Sequence, residues 1–125
     1  MSTLNVSNIT DGTDTVGTSY VVNGSAKAWS RVTYSGGTPS LGSSSLNFSS
    51  VADTGTGEWT VNFTNSMANT DYTVSGVSTN DRVGLLASDM SSAYTTTQKK
   101  MQIQDSRTGT HYDWDSTITA HGELA

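Results

Sequence analysis

The sequence predicts an all-β protein, an antiparallel β-sandwich or jelly roll of about seven or eight short strands preceded by an N-terminal arm strand. The main observation is that apolar residues recur at every second position, which is the period of strands with one buried face. The composition agrees, because 20 Ser, 21 Thr and 12 Gly against one Pro favour strands and turns over long helices. No segment carries an extended apolar run at helical spacing.

The chain begins with a candidate arm strand. Leu4, Val6 and Ile9 precede the turn-rich residues 11–14, whose sequence is DGTD. We therefore divide the sequence into an attachment arm over residues 1–14 and a single β domain over residues 15–125. The arm either pairs with another chain by strand addition or forms the first strand of the same domain, and both alternatives stay open.

The segment from Ala26 to Tyr34 alternates as a strand. One face carries Ala26, Ala28, Val32 and Tyr34, and the other carries Lys27, Trp29 and Arg31. An indole between two cations predicts either a cation–π cluster at a subunit contact or an aromatic platform for a sugar. The simpler alternative, which we favour, is that Trp29 packs on a neighbouring strand or sheet.

The clearest hairpin lies between Leu46 and Thr64. Leu46 and Phe48 alternate with polar residues on the first strand, and Trp59, Val61 and Phe63 do so on the second. The glycine-rich residues 53–57 between them suit a tight reversal. The preceding residues 35–45, which include the only Pro at position 39, have the composition of a loop.

Further strands follow the hairpin. After a turn at residues 65–71, alternation continues through Tyr72, Val74 and Gly76, and the apolar run from Val83 to Ala87 predicts a buried strand. Met101 and Ile103 mark another strand. The last predicted strand, Thr110 to Ala120, places its apolar residues on one face: Tyr112, Trp114 and Ile118. We expect Trp59 and Trp114 to lie in the core.

The charge and composition exclude several classes of partner. A net charge of −5 gives the chain no general attraction to nucleic acid or to anionic membranes. No stretch approaches the roughly 18 to 20 apolar residues of a membrane span, so we expect no membrane insertion, and the N-terminus lacks the features of a signal peptide. The absence of Cys excludes disulfides and thiolate metal sites. A hydrophobic fraction of 33% predicts a thin core, which favours an oligomer.

His111, Asp113 and Asp115 are the main candidates for chemistry. On a strand they share one face, with the two Asp residues roughly 7 Å apart. That separation suits a pair of glycosidase carboxylates, and the three residues together suit a metal site. Any Asp-x-Asp on a solvent-facing strand has the same spacing, so a solvated polar face is the interpretation we favour. Motifs for nucleophilic catalysis or phosphate binding are missing. We therefore expect no enzyme, no cofactor and no metal, and keep a carbohydrate-active enzyme acting through Asp113 or Asp115 as a weaker hypothesis.

Two blocks of the chain resemble a family of phage tail-fibre and receptor-binding proteins. The first is VNGSAKAW at residues 22–29, where AKAW matches a family strand written AKAWVNF. The second, more specific block is LNFSSVADTGTGEWTVNFTNSMANTDYTVSG at residues 46–76, which resembles the family pattern SFNVSSITDNGTGDYTVNFTTAMPDANYxVxG. The chain departs from the family after Trp29 and matches it weakly from Thr79 onward. The opening MSTLNVSNIT also resembles the start of short virion fibres.

The resemblance implies a virion location and a homotrimer that binds a host-surface glycan or protein. Leu4, Val6 and Ile9 would then attach the chain to other virion proteins of the tail, neck or capsid. The weak match in the last third places receptor contacts in its loops, and the candidates there are Asp81, Arg82, Asp89 and Arg107. The alternative is a purely architectural head fibre, decoration protein or adaptor.

Overall fold

The chain folds into ten strands and one short helix within the part described by the computed structural model, which comprises residues 3, 5–79, 84–88 and 93–125. The strands are β1 (Asn8–Thr10), β2 (Thr15–Gly17), β3 (Ala26–Ser35), β4 (Thr38–Leu41), β5 (Phe48–Gly55), β6 (Glu58–Phe63), β7 (Thr73–Ser78), β8 (Gly84–Ser88), β9 (Gln98–Asp105) and β10 (Ser116–His121). Helix α1 spans Thr18–Gly24.

Two four-stranded antiparallel sheets enclose one hydrophobic core. The first sheet has the order β4-β3-β10-β7, and the second sheet has the order β5-β6-β9-β8. Both sheets contribute to the same cluster of buried side chains: Ala28, Val32, Ile118 and Ala120 from the first, and Phe48, Trp59, Val61, Phe63 and Met101 from the second. The predicted all-β sandwich is therefore confirmed.

The predicted hairpin is formed by β5 and β6. Phe48 pairs with Phe63 and Val51 with Val61, and the strands reverse at residues 55–57. Gly57 has a φ of +68°, and a Cβ atom there would lie 2.6 Å from the Tyr112 backbone nitrogen. Only glycine fits such a position without strain. The predicted strands at Ala26–Tyr34, after Tyr72 and around Met101 are likewise present, as β3, β7 and β9.

The prediction of a loop over residues 35–45 is wrong in part. Thr38–Leu41 forms β4, joined to β3 by a tight turn in which Gly36 and Gly37 both have positive φ. Pro39 lies buried within β4. A proline fits there because β4 is the edge of the first sheet, where one side of the strand needs no backbone donor.

Two other predicted strands differ from those observed. The last strand begins at Ser116 rather than Thr110, because the backbone of residues 110–112 bonds to β9 of the second sheet, as in the bond from the Tyr112 N–H to the Ile103 carbonyl at 3.2 Å. The apolar run around Leu85 forms β8, which is half-buried because it is an edge strand of the second sheet. Val83 lies outside the described residues.

The N-terminal segment, residues 5–24, lies outside the core. β1 pairs with β2 across the predicted boundary at residue 14 and forms a separate two-stranded sheet, and α1 follows directly. None of the described residues from 3 to 25 is buried. The sequence did not predict α1, because two turns of TSYVVNG are too short to show helical spacing and contain two β-branched valines. No helix among the described residues has the length and hydropathy needed to cross a membrane.

Candidate functional site

The carboxylates of Asp113 and Asp115 each accept a hydrogen bond from a backbone N–H group elsewhere in the fold. The Gly57 backbone N–H donates to Asp113 Oδ1 at 2.6 Å, and the Tyr34 backbone N–H donates to Asp115 Oδ1 at 2.8 Å. The Arg31 guanidinium also donates to Asp115 Oδ2 at 2.9 Å. Each carboxylate therefore fixes the position of the irregular segment 110–115 against one sheet.

His111 belongs to a different group of side chains. Its Nδ1 atom lies 3.3 Å from Glu58 Oε1, and Glu58 Oε2 lies 2.8 Å from Lys100 Nζ. The backbone of His111 forms an isolated bridge with Gln104. His111 thus contacts the second sheet, and it does not share a strand face with the two Asp residues. Within the described ranges, no group of three or more His, Asp or Glu residues is placed to hold a metal ion.

A cleft of about 310 Å³ opens between β3 and the segment 110–115. Its lining residues come from β3, from the residue that follows β7 and from that segment: Arg31, Thr79, Asp113, Trp114 and Asp115. Because Arg31 and Asp115 form an ion pair across it, the cleft is polar with one aromatic wall.

Trp114 forms this wall and does not lie in the core, which corrects the prediction from alternation. Its ring stacks on Tyr112 with centroids 4.6 Å apart and an interplanar angle of 3°. Its Cε3 atom also lies close to Gly84 at the start of β8. Since residues 110–115 do not continue β10, the side chain of Trp114 is only half-buried and does not belong to the core cluster. Trp59, by contrast, is fully buried as predicted.

The Tyr34 hydroxyl is buried close to these carboxylates. Burial, followed by the negative charges of Asp113 and Asp53, raises the pKa of Tyr34. Within the described part of the chain, this hydroxyl has no hydrogen-bond partner. The Tyr34 side chain therefore stays neutral at ordinary pH and packs against the core.

Lys27, Trp29 and Arg31 do not form one cluster. Lys27 is buried, and its ammonium group donates to the carbonyls of Val22 and Ser25 and to the Ser25 hydroxyl, so it contacts α1 and the residue after it. Arg31 points to Asp115.

Trp29 lies on the outer face of the first sheet beside Leu46. The two backbones exchange hydrogen bonds of 3.0 and 2.9 Å, which places the side chains on the same face. Trp29 is 42% exposed and Leu46 is 44% exposed, so Trp29 does not pack under a neighbouring sheet. Together they form a small exposed apolar pair.

The remaining predicted site residues lie in three places. Arg107 lies in the loop after β9, where its backbone N–H and guanidinium both donate to the Asp105 carboxylate. Val6 and Ile9 are exposed in the N-terminal segment. The rest lie outside the described residues: Leu4, Asp81, Arg82 and Asp89.

Thr79 and Trp114, which stacks on Tyr112, are lining residues of the cleft that the sequence did not reveal. Thr79 is one of 21 threonines and carries no distinguishing pattern. The spacing of Tyr112 and Trp114 matched the face of a strand. The two acidic residues, Asp113 and Asp115, were the signal in the sequence, because each carboxylate accepts a backbone N–H from a different sheet.

Comparison of the chain with protein-family models, curated proteins and solved structures found no match. The resemblance to phage fibres therefore depends on the motif residues themselves, and several of these shape the hairpin. Asn47 has a φ of 56°, and its side chain exchanges two hydrogen bonds with the Asn65 backbone. Asp53 accepts from the Gly55 N–H, and Met67 is buried. These motif residues have structural roles in the sandwich.

Proposed function

We propose that this chain is a structural protein of a phage virion, a short tail fibre or fibre tip that attaches to the particle and binds a host-surface receptor. The observation that carries the proposal is that the N-terminal segment exposes its apolar side chains, whereas the two sheets of the sandwich bury theirs in one core. The motif resemblance supports it independently. The protein works by binding and not by catalysis.

The N-terminal segment has the character of an attachment site. Its large apolar side chains are exposed: Val6, Ile9, Val16, Tyr20, Val21 and Val22. Tyr20 alone is 76% exposed. A concentration of exposed apolar side chains on a short stretch is typical of a surface that another protein covers. We propose that this protein is a tail, neck or capsid component of the particle.

The first sheet supports a homotrimer. The apolar pair of Trp29 and Leu46 lies on its outer face and gives a second copy a surface to cover. A chain with a hydrophobic fraction of 33% gains burial from such contacts. Three copies would also present three receptor sites, and the resulting avidity lets each single site be weak.

The bonding of the acidic residues supports binding over hydrolysis. Asp113 and Asp115 each accept a backbone N–H, and Asp115 also pairs with Arg31. These bonds give both carboxylates a structural role. We propose that the polar loops and the cleft contact a host-surface glycan or protein.

The alternative is a head fibre, decoration protein or adaptor with an architectural role. The exposed N-terminal segment supports attachment to a particle in this case too. The two functions differ in what the far end of the protein contacts, host or virion.

Gold-labelled antibodies against the full chain, imaged on intact phage particles, test the proposal. Label at the distal end of tail fibres, together with binding of the purified protein to host cells, is the expected result. Label on the head without cell binding supports the architectural alternative, and particles without label refute both. As a matched pair, Ile9→Asp should abolish incorporation of the protein into particles, whereas Thr70→Asp in the exposed turn after β6 should not.

A further inference from the structure

We propose that the cleft lined by Arg31, Thr79, Asp113, Trp114 and Asp115 binds a neutral hexose unit of a glycan. The inference rests on the proposed function, because it names the ligand class and the place of the receptor contact. The volume of about 310 Å³ falls at the lower end of the roughly 300–1,000 Å³ of small-molecule sites. It therefore suits one small ring and not an extended peptide.

The aromatic wall is already ordered. Trp114 lies parallel to Tyr112 with ring centroids 4.6 Å apart, and this stacking fixes the plane of the indole. A ligand that contacts an ordered ring does not have to immobilise it first. Most of the accessible lining is polar, so Trp114 adds a small apolar contact for the C–H groups of a pyranose ring.

The polar walls supply both donors and acceptors at fixed positions. The guanidinium of Arg31 uses Nη2 on Asp115, and its side chain lines the cleft and is 58% exposed, so it has further N–H donors to offer a ligand. The carboxylates of Asp113 and Asp115 are held by backbone N–H groups and have further lone pairs to offer. A sugar hydroxyl both donates and accepts, so neighbouring hydroxyls on one ring match this arrangement.

The charges of the cleft select against acidic sugars. One guanidinium faces two carboxylates, so the lining carries a formal excess of one negative charge. A uronate or sialate would place a third carboxylate beside them, and like charges at short distance repel. A neutral hexose has no such penalty and uses the same hydroxyl contacts.

The test is a titration of the full-length, ¹⁵N-labelled protein with D-glucose, D-galactose and D-mannose, with D-glucuronate as the acidic comparator. We expect at least one hexose to shift the indole N–H signal of Trp114, with a dissociation constant in the millimolar range and without movement of the buried Trp59 signal. Glucuronate should bind at least about tenfold more weakly.

Variants show whether the cleft is responsible. Arg31→Ala removes a charged donor and should weaken hexose binding by about tenfold or more. Thr79→Ala gives a smaller loss without altering any charge. Lys100→Ala is the matched control, because it removes a cation that is paired with Glu58 on the second sheet and does not line the cleft. It should leave the affinity for hexose unchanged.

Several outcomes overturn the inference. These are a Trp114 signal that no hexose moves, equal affinity for glucuronate, or unchanged affinity in both Arg31→Ala and Thr79→Ala. Binding of the same variants to host cells separates this failure from that of the proposed function. If wild type and Arg31→Ala bind cells equally, receptor binding occurs elsewhere and only the inference fails. If hexose binds the cleft but the protein binds neither cells nor particles, only the proposed function fails.

Discussion

The Asp113 carboxylate accepts a hydrogen bond from the Gly57 backbone N–H at 2.6 Å. This contact joins residues that are 56 positions apart, and it fastens the segment 110–115 to the turn between β5 and β6. A second bond at the same place runs from the Ile103 N–H to the Gly57 carbonyl at 2.7 Å. Gly57 is therefore the point where the hairpin, β9 and the wall of the cleft meet.

Replacing Asp113 should destabilise the protein. In Asp113→Ala the buried Gly57 N–H loses its acceptor, which costs about 1–3 kcal/mol in free energy of unfolding. Urea denaturation followed by tryptophan fluorescence measures the loss. Asp71→Ala is the control, since this exposed residue lies in the turn after β6, and it should change the free energy of unfolding by less than about 0.5 kcal/mol. Equal effects of the two substitutions would show that the Asp113–Gly57 bond contributes nothing.

Replacing Gly57 should be more damaging. An alanine at its φ of +68° costs about 1–2 kcal/mol, and its Cβ would lie 2.7 Å from the Ile103 carbonyl oxygen, which adds an overpacking penalty of about 1–3 kcal/mol. Gly24→Ala is the matched control, because no atom lies within 4 Å of the added Cβ. The denaturation midpoint should fall strongly for Gly57→Ala and stay near wild type for Gly24→Ala. A wild-type midpoint for Gly57→Ala contradicts the described turn.

Acid should weaken the link between Asp105 and Arg107. Hydrogen bonds from the Arg107 backbone N–H and guanidinium hold the pKa of Asp105 below its usual range. Because the folded pKa is depressed, the stabilisation is complete above the unfolded pKa of about 3.9 and is lost as pH falls through the folded value. Melting temperatures from neutral pH down to about pH 2 should show Asp105→Asn less stable than wild type at neutral pH.

The difference between the two proteins should then shrink as the pH drops below about 4, because protonation removes the same charge from wild type. A constant gap over the whole range would mean that the charge of Asp105 has no role. Asp71→Asn, in an exposed turn, serves as the control.

Alkaline conditions should destabilise the protein by ionising the Tyr72 hydroxyl. Burial, together with the neighbouring Tyr94, raises the pKa of Tyr72 to about 12. Its hydroxyl donates to the Thr95 carbonyl at 2.9 Å. Because the folded pKa is raised, the contribution to stability is intact below the unfolded value of about 10 and is lost as pH rises through about 12.

An absorbance titration of tyrosinate tests this prediction. The native protein should ionise some of its five tyrosines late, with Tyr72 and Tyr34 as the resistant residues, while all five ionise near pH 10 in denaturant. Tyr72→Phe should remove one late-ionising residue and flatten the alkaline fall in melting temperature. Simultaneous ionisation of all tyrosines in the native state would contradict the described burial.

Much of the sandwich could be predicted because alternation reports burial directly. Trp59, Val61 and Phe63 face the core along β6, as their spacing predicts. Alternation does not predict burial where hydrogen bonds prevent a segment from continuing its strand. Tyr112 and Trp114 are spaced like core residues, yet the Asp113–Gly57 bond and the bond from the Tyr112 N–H to the Ile103 carbonyl hold their segment against the second sheet, so it does not continue β10.

The cleft could not be predicted for a related reason. Its walls come from β3, from Thr79 and from residues 113–115, which only the pairing of β10 with both β3 and β7 brings together. The sequence did not reveal the role of Lys27 either. Its position in an alternating strand suggests an exposed cation, but the side chain is buried and its ammonium group donates to a carbonyl of helix α1.

The contact between Lys27 and the N-terminal segment uses mostly main-chain acceptors. The ammonium group binds the carbonyls of Val22 and Ser25, and only the Ser25 hydroxyl belongs to a side chain. Carbonyl oxygens are present whatever the side chains are, so the side chains of the N-terminal segment can change while its backbone keeps the contact with Lys27. Sequence variation in this segment and conservation of the sandwich are therefore compatible with one unchanged connection between them.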